Sequence, residues 1–453
     1  MTSDYLSPIS KKLIDFKNKL PNDSLGNKII LYDIKKFDYN KIDIAIIGIK
    51  EYRNSVEVKS NFIDLDEFRK ELYSLYYGDW NVNILDLGDL INGDNYNDTY
   101  FAFKTVTEGL FKQNVKLIIV GGGNDFAYPL YQSLSKTHTS LNISSVDNRF
   151  DFGKIEKEFD SNSYMSKIIM DKNNCLNHFC NIGFQTFLNS QEEMDLLNKL
   201  NFEFHRIGIV NRNIQMVEPL LRDTHLLSVD FKSIKASELN FAHNFPNGFE
   251  SDQICSISRY AGLSNSISAI GFFELLSSNV SSSLLSQAIW YFIDGFCLRI
   301  DEDPKSESFN GYTYNVICEG TNLKFYNSEL SQKWWVEFLD DKQANANNEL
   351  IPCSKNDYVK AAELNDDSRT TRAYKVRIGI RCRSHIDKVF IEAAKKDSID
   401  TLLAANDLKQ NSNVKAVLAV GCMAERYGNE LEKALPEADA ILGFDDYDQI
   451  TAR

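Results

Sequence analysis

The sequence predicts an α/β protein: a three-layer α/β/α domain with a mainly parallel sheet of about eight strands, followed by a small αβ fragment at the C-terminus. Three observations predict this fold class. Apolar runs of strand length alternate with amphipathic segments between residues 40 and 300. The runs are apolar at successive positions, as in strands that helices cover on both faces. Near residue 370 the composition changes from rich in aromatic residues to rich in alanine.

The elements follow in chain order. The predicted strands are 43–49, 82–88, 115–121, 141–147, 178–184, 205–210, 225–231 and 266–274. Helical spacing marks 64–77, 97–113 and 190–200, and the first and third of these open on an N-cap residue with Glu three positions later. The apolar run 284–300 predicts a buried helix and not a membrane span, because Asp294 interrupts it. Residues 311–329 predict a hairpin, and the aromatic segment 333–339 is expected to pack back onto the main body.

Composition excludes several classes of partner. The net charge of -14, with no basic stripe to offset it, argues against nucleic acid as a partner. The N-terminal segment lacks the apolar core of an export signal, and no apolar run is long enough to span a membrane. The eight cysteines are scattered and form no CxxC pair, as expected of thiols in a reducing compartment. These features predict a cytoplasmic protein that binds no membrane.

Acidic residues gather at the ends of four predicted strands. They are Asp125 in GGGND, Asp147 and Asp151 in DNRFD, Asp230 in SVDFK, and Glu274 in GFFE. Ligands of an open parallel sheet bind where the carboxyl ends of the strands meet. We therefore expect these side chains to form one site, although loop acids and helix caps would also explain each motif singly.

The order and spacing of these motifs resemble the arginase or ureohydrolase family, and most closely its divergent formimidoylglutamase-like branch. The resemblance covers residues 1–370, with GGND at 122–125, DNRFD at 147–151 and SVDFK at 228–232 in the places of the family's metal motifs. It implies a manganese-dependent hydrolase that cleaves C–N bonds of linear amidines or guanidines, and a homo-oligomer. Glu274 is implied to hold the substrate's amidine or guanidinium group.

Two departures change what the resemblance implies about metal. Family members hold two manganese ions with two histidines and four aspartates. Carried over by position, one ion would be bound by Asp125, Asp147, Asp151 and Asp230, so at most one manganese ion is expected. The positions that complete the second site are Arg149 and Lys232, and an arginine binds no metal. We expect both cations to replace the second ion as internal counter-charges.

A third departure concerns proton transfer. Many relatives carry a histidine soon after the second motif, where it serves as a proton shuttle. Here Tyr164 stands at approximately that position, and Tyr164 and Glu274 are the candidate catalytic residues.

The alanine-rich segment 388–453 resembles part of the N-terminal domain of the methylthiotransferases that modify a ribosomal protein. That domain supplies three cysteines to a four-iron, four-sulfur cluster, and only Cys422 stands at a matching place. An iron–sulfur cluster is therefore not expected. The pattern predicts a fragment of one gene joined to another, either as a genuine gene fusion or through the assembly of the sequence, with a ureohydrolase-like domain (1–370), a junction (371–387) and a partial methylthiotransferase segment (388–453).

Three functions remain open on the sequence. The first is an amidine hydrolase with a degenerate metal site, and the second is a non-catalytic binding or regulatory protein, a pseudoenzyme, that keeps the ureohydrolase fold. The third, which rests on the C-terminal segment alone, is a ribosomal protein methylthiotransferase.

Overall fold

The computed structural model describes two compact units, Met1–Arg381 and Cys382–Arg453. The described residues are 3–32, 41–60, 62–153, 159–171, 175–240, 244–318, 321–339 and 350–363 in the first unit. In the second unit they are 418–420 and 440–442.

The first unit is built on a sheet of ten strands. The order across the sheet is β1-β4-β3-β5-β10-β9-β6-β7-β8, with β2 also beside β4, and every pairing except β1 with β4 is parallel. The strands are β1 (Leu6–Ser7), β2 (Ile30–Leu31), β3 (Ile44–Ile49), β4 (Ile84–Leu90), β5 (Lys116–Gly121), β6 (Leu141–Val146), β7 (Leu176–Phe184), β8 (Glu203–Arg206), β9 (Leu226–Asp230) and β10 (Ala269–Phe273). The mainly parallel sheet is confirmed, and the two short strands β1 and β2 add to the eight predicted.

One predicted strand is largely wrong. Of the segment 205–210, only the first two residues belong to β8, and the helix α8 (Ile207–Val210) follows at once. Ile207 and Val210 are buried whereas Ile209 is exposed. Buried residues three apart are typical of a helical face, and the uniformly apolar letters IGIV hide that spacing.

Helices cover both faces of the sheet. They are α1 (Lys11–Lys17), α2 (Leu25–Lys28), α3 (Leu65–Ser74), α4 (Tyr96–Phe111), α5 (Ala127–Leu134), α6 (Tyr164–Ile169), α7 (Gln191–Lys199), α8, α9 (Val217–Leu221), α10 (Ala236–Leu239), α11 (Ser251–Gly262), α12 (Asn279–Cys297) and α13 (Lys355–Glu363). Alternate residues of β3 enter two separate cores: Ile44 and Ile46 pack with α3, α11 and α12, whereas Ile47 packs with α4 and α5. This division confirms the three layers.

A small antiparallel sheet follows α12. Its strands β11 (Gly311–Cys318), β12 (Thr321–Ser328), β13 (Trp334–Leu339) and β14 (Leu350–Cys353) pair in sequence order. The first two form the predicted hairpin, and the aromatic segment forms the third strand.

The second unit contains two described strands, β15 (Leu418–Val420) and β16 (Ala440–Leu442), which pair in parallel. The rest of the predicted fragment 388–453, including Cys422, lies outside the described residues. Among the helices that the structure describes, none is long and apolar enough to cross a bilayer.

Candidate functional site

Four neighbouring strands bring the polar motifs together. In the order β5, β10, β9, β6 they lie side by side at the centre of the sheet, and each continues into one of the motifs at its carboxyl end. The loop after β5 needs glycine: Gly121 and Gly122 have φ of 91° and 79°, and a Cβ at Gly121 would lie 2.4 Å from the Ile49 carbonyl oxygen. The parallel sheet thus places the motifs at one edge.

Three carboxylates form the centre of this site. Asp147, Asp151 and Asp230 are buried, and one carboxylate oxygen from each lies within 4.8 Å of the others. Burial, and then the charge of Asp151, raise the pKa of Asp147 well above its ordinary value. Burial likewise raises the pKa of Asp151 to about 7 and that of Asp230 well above its ordinary value, although Lys232 acts in the opposite direction on both. Burial thus disfavours the ionised form of all three carboxylates, and Lys232 offsets this only in part.

Asn124, which the sequence analysis did not select, lies against these carboxylates. Its Nδ2 donates to Asp147 Oδ2 and to Asp151 Oδ2, both at 3.2 Å, and its Oδ1 accepts from Ser228 Oγ at 2.6 Å. Rotation of the amide would turn Oδ1 toward the carboxylates and Nδ2 toward Ser228 Oγ. The contact with Ser228 would be kept, because a serine hydroxyl accepts as well as donates. Asn124 can therefore supply a neutral oxygen ligand. The asparagine in the motif GGGND was the sequence signal that could have identified this ligand.

Asp125 is placed differently from the expectation. It does not belong to the group of three carboxylates, and its Oδ2 accepts a hydrogen bond from Tyr100. Burial raises the pKa of Asp125 to about 7. The resemblance aligned Asp125 with a metal ligand, but successive residues of a tight turn point in different directions, and the neighbouring Asn124 faces the centre.

Lys232 lies where a cation was expected. Its side chain is buried, with Nζ 3.3 Å from Asp230 Oδ2 and 3.4 Å from Asn162 Oδ1. Although burial opposes its charge, the carboxylates of Asp230 and then Glu274 raise the pKa of Lys232 well above its ordinary value. Asp230 Oδ2 accepts no hydrogen bond from the described residues, so Nζ is near enough for an ion pair but not aligned to donate.

Arg149 is placed differently from the expectation. Its Nη1 donates to the Leu188 carbonyl oxygen at 3.3 Å, and its backbone N–H donates to Asp147 Oδ1 at 2.8 Å. Within the described part of the chain its guanidinium is within 4.0 Å of no carboxylate. The guanidinium contacts a carbonyl group instead, so Lys232 supplies the close positive charge.

The two candidate catalytic residues are both buried. Glu274 accepts from Ser55 Oγ at 2.6 Å and from the Asn124 backbone N–H at 3.1 Å, and it adopts a left-handed backbone with φ of 56°. A carboxylate has room for further donors, so these bonds leave Glu274 able to hold a ligand. Burial, and then the charge of Asp151, raise the pKa of Tyr164 well above its ordinary value. This phenol stays protonated near neutral pH, and its place as the proton shuttle stays a prediction.

The residues present fit one hard divalent cation. Asp147, Asp151 and Asp230 offer oxygen ligands, and Asn124 offers a fourth. Asp151 also has φ of 54°, a conformation that a non-glycine residue adopts only where its surroundings enforce it.

Residues 43–260 match the model of the Arginase family. Among solved structures, the chain is similar to formiminoglutamase from Trypanosoma cruzi with Mn²⁺, at 14% identity and a TM-score of 0.51 over 59% of this chain and 97% of that one. It is also similar to formimidoylglutamase from Bacillus subtilis, at 17% identity and a TM-score of 0.53 over 61% of this chain and 92% of that one. The fold is arginase-like.

A second similarity is confined to a short segment. Over 64 residues, 14% of this chain, it is 69% identical to the ribosomal protein uS12 methylthiotransferase RimO of Streptomyces avermitilis. A RimO from Cutibacterium acnes is 70% identical over the same length. The chain spans about an eighth (13%) of the length of these curated relatives.

Proposed function

We propose that this arginase-like protein binds one divalent cation, Mn²⁺ by resemblance, through Asn124, Asp147, Asp151 and Asp230. Lys232 replaces the second ion. In this state the protein is a non-catalytic binder of small amidines or guanidines, with Glu274 contacting the ligand. When bound, the cation supplies charge that holds the three carboxylates ionised and polarises a ligand oxygen or nitrogen.

One observation carries the proposal: Lys232 Nζ lies buried 3.3 Å from Oδ2 of Asp230, one of the three clustered carboxylates. A lysine whose pKa is raised stays protonated, so it cannot act as a ligand, and it repels a second cation nearby. Two-ion hydrolysis needs the attacking group to be held between two metals. The protonated lysine therefore supports a protein that binds its ligand but does not hydrolyse it.

The competing hypothesis, an active hydrolase, is tested by measuring metal content and activity. Protein loaded with excess Mn²⁺ and desalted should retain one equivalent by elemental analysis, and the matched variant Asp147→Asn should retain none. The loaded parent should bind but not hydrolyse a panel of linear amidines and guanidines. Two equivalents of metal together with hydrolysis would overturn the proposal in favour of an active enzyme.

A restoring variant provides the converse test. Arg149→His combined with Lys232→Asp returns the family's ligand types to both positions. We expect this variant to retain two Mn²⁺ and its stability to depend on the metal. A double variant that is as stable as the parent in chelator and does not respond to Mn²⁺ would refute replacement of the metal by lysine.

A further inference from the structure

A second cluster of metal-binding side chains lies on β7 and the edge strand β8. Donor atoms of Cys180, Glu203 and His205 all lie within 4.8 Å of one another. Cys180 is paired with Glu203 across the two parallel strands, and His205 is paired with Ile182, two residues beyond Cys180. Because side chains two apart on a strand share a face, the register brings all three donors to one face of the sheet.

A fourth donor belongs to the same face. His178 precedes Cys180 by two residues on β7, and its Nε2 lies 3.8 Å from Glu203 Oε1. His205 Nε2 lies 3.2 Å from Glu203 Oε2. The Glu203 carboxylate is thus flanked by an imidazole at each oxygen. The two histidine side chains are 14% and 13% exposed, so the cluster lies just beneath the protein surface.

We propose that Cys180, Glu203 and His205, with His178 as the fourth donor, form a Zn²⁺ site that ties β8 to β7. Thiolate, imidazole and carboxylate are the three ligand types that zinc takes in proteins, and a tetrahedral site needs four. Zinc bonds of about 2.0–2.3 Å place ligand atoms about 3.3–3.8 Å apart in a tetrahedron. Three donors lie within 4.8 Å of one another and His178 Nε2 lies 3.8 Å from Glu203 Oε1, so zinc binding requires side-chain rotations that draw the four donors together.

The alternative is a buried glutamate stabilised by two histidines, without metal. That arrangement involves Glu203 and its imidazoles, whereas the proposed site also uses the thiol of Cys180 as a ligand. Metal binding instead requires Cys180 to lose its proton, so zinc uptake should release protons and weaken as pH falls. The site is chemically distinct from the carboxylate centre, where every protein ligand is an oxygen atom.

Cobalt distinguishes the two sites in the full-length protein. Co²⁺ bound through sulfur gives a thiolate-to-metal charge-transfer band, whereas Co²⁺ bound only by oxygen does not. We expect the band in the parent, its loss in Cys180→Ser, and its retention in the matched control Cys297→Ser. Asp151→Asn should also keep the band, because that change affects only the carboxylate centre. No band, or a band that Cys180→Ser leaves intact, would overturn the site.

Zinc affinity supplies a second measurement should Cys180→Ser fail to fold. Competition with a chromophoric chelator should show that His205→Gln weakens Zn²⁺ binding at least ~10-fold, since even changes outside the ligand shell cost that much. Zn²⁺ should also raise the Tm of the parent more than that of His205→Gln. Equal Zn²⁺ affinity in the parent and in His205→Gln would reject the proposal.

Discussion

At the scale of single residues, Lys232 and Arg149 show what sequence reasoning can and cannot supply. Both are cations at positions where the resemblance implies metal ligands, and charge balance predicts a cation beside the carboxylates. Lys232 is there, 3.3 Å from Asp230, whereas the Arg149 guanidinium donates to Leu188. Which of two cations turns inward depends on side-chain packing, which charge balance does not determine.

Asn124 was missed for a related reason. Sequence motifs give the order of residues in a loop but not the direction in which each side chain points. Because Gly121 and Gly122 turn the chain with positive φ, it is Asn124 that donates to Asp147 and Asp151.

Removing the Lys232 charge tests its electrostatic role. We expect Lys232→Met to lower the free energy of unfolding by about 3–5 kcal/mol at pH 8 in chelator, because a buried carboxylate loses its partner. The matched control is Lys235→Met, whose ion pair with Glu250 is more exposed and should cost no more than about 1 kcal/mol. Urea unfolding of both variants gives the comparison, and equal losses would contradict a special role for Lys232.

At the scale of elements, the sheet was predictable because buried parallel strands are apolar throughout. The short strands and helices were not predictable in this way. The strands β1 and β2 have two residues each, too few to show a pattern, and α8 looks like the continuation of a strand. The sequence predicted that the four motifs meet at one edge of the sheet but not the order of the strands that carry them. The order β5-β10-β9-β6 brings together strands that are far apart in sequence.

The loop after β5 should be intolerant of a side chain. Gly121→Ala places a Cβ 2.4 Å from the Ile49 carbonyl oxygen at a φ of 91°. We expect a loss of about 1–3 kcal/mol of stability, together with weaker Mn²⁺ binding because the same loop carries Asn124. In the control Gly208→Ala, nothing lies within 4 Å of the new Cβ on α8, and the change should stabilise by up to about 1 kcal/mol. Denaturant unfolding and Mn²⁺ titration of both variants provide the measurement.

At the scale of the whole molecule, we propose that the two units fold independently. The division between Arg381 and Cys382 falls inside the predicted junction 371–387. A chain that ends at Arg381 should keep the Tm of the full-length protein. A fall of more than about 4 °C would correspond to at least about 1 kcal/mol and would show that the C-terminal unit stabilises the first.

The pH dependence of stability joins the carboxylate centre to the behaviour of the whole protein. Burial raises the pKa of Asp125 and Asp151 to about 7, so the folded state binds protons that the unfolded state has released. Stability in chelator should therefore fall as pH rises from about 6.5 to 8.5. Most of the opposite effect of His225 lies below this window, because burial lowers its pKa to about 4 and its unfolded state takes up a proton with a pKa of about 6.5.

Manganese should reverse this trend. The ion binds only deprotonated carboxylates, so it binds more tightly as pH rises and replaces the missing positive charge. We expect the increase in Tm caused by Mn²⁺ to be larger at about pH 8.5 than at about pH 6.5 in the parent. Asp151→Asn, which removes one ligand and one titrating group, should show a smaller increase at both values. A manganese effect that is independent of pH, or undiminished in Asp151→Asn, would mean that the ion binds elsewhere.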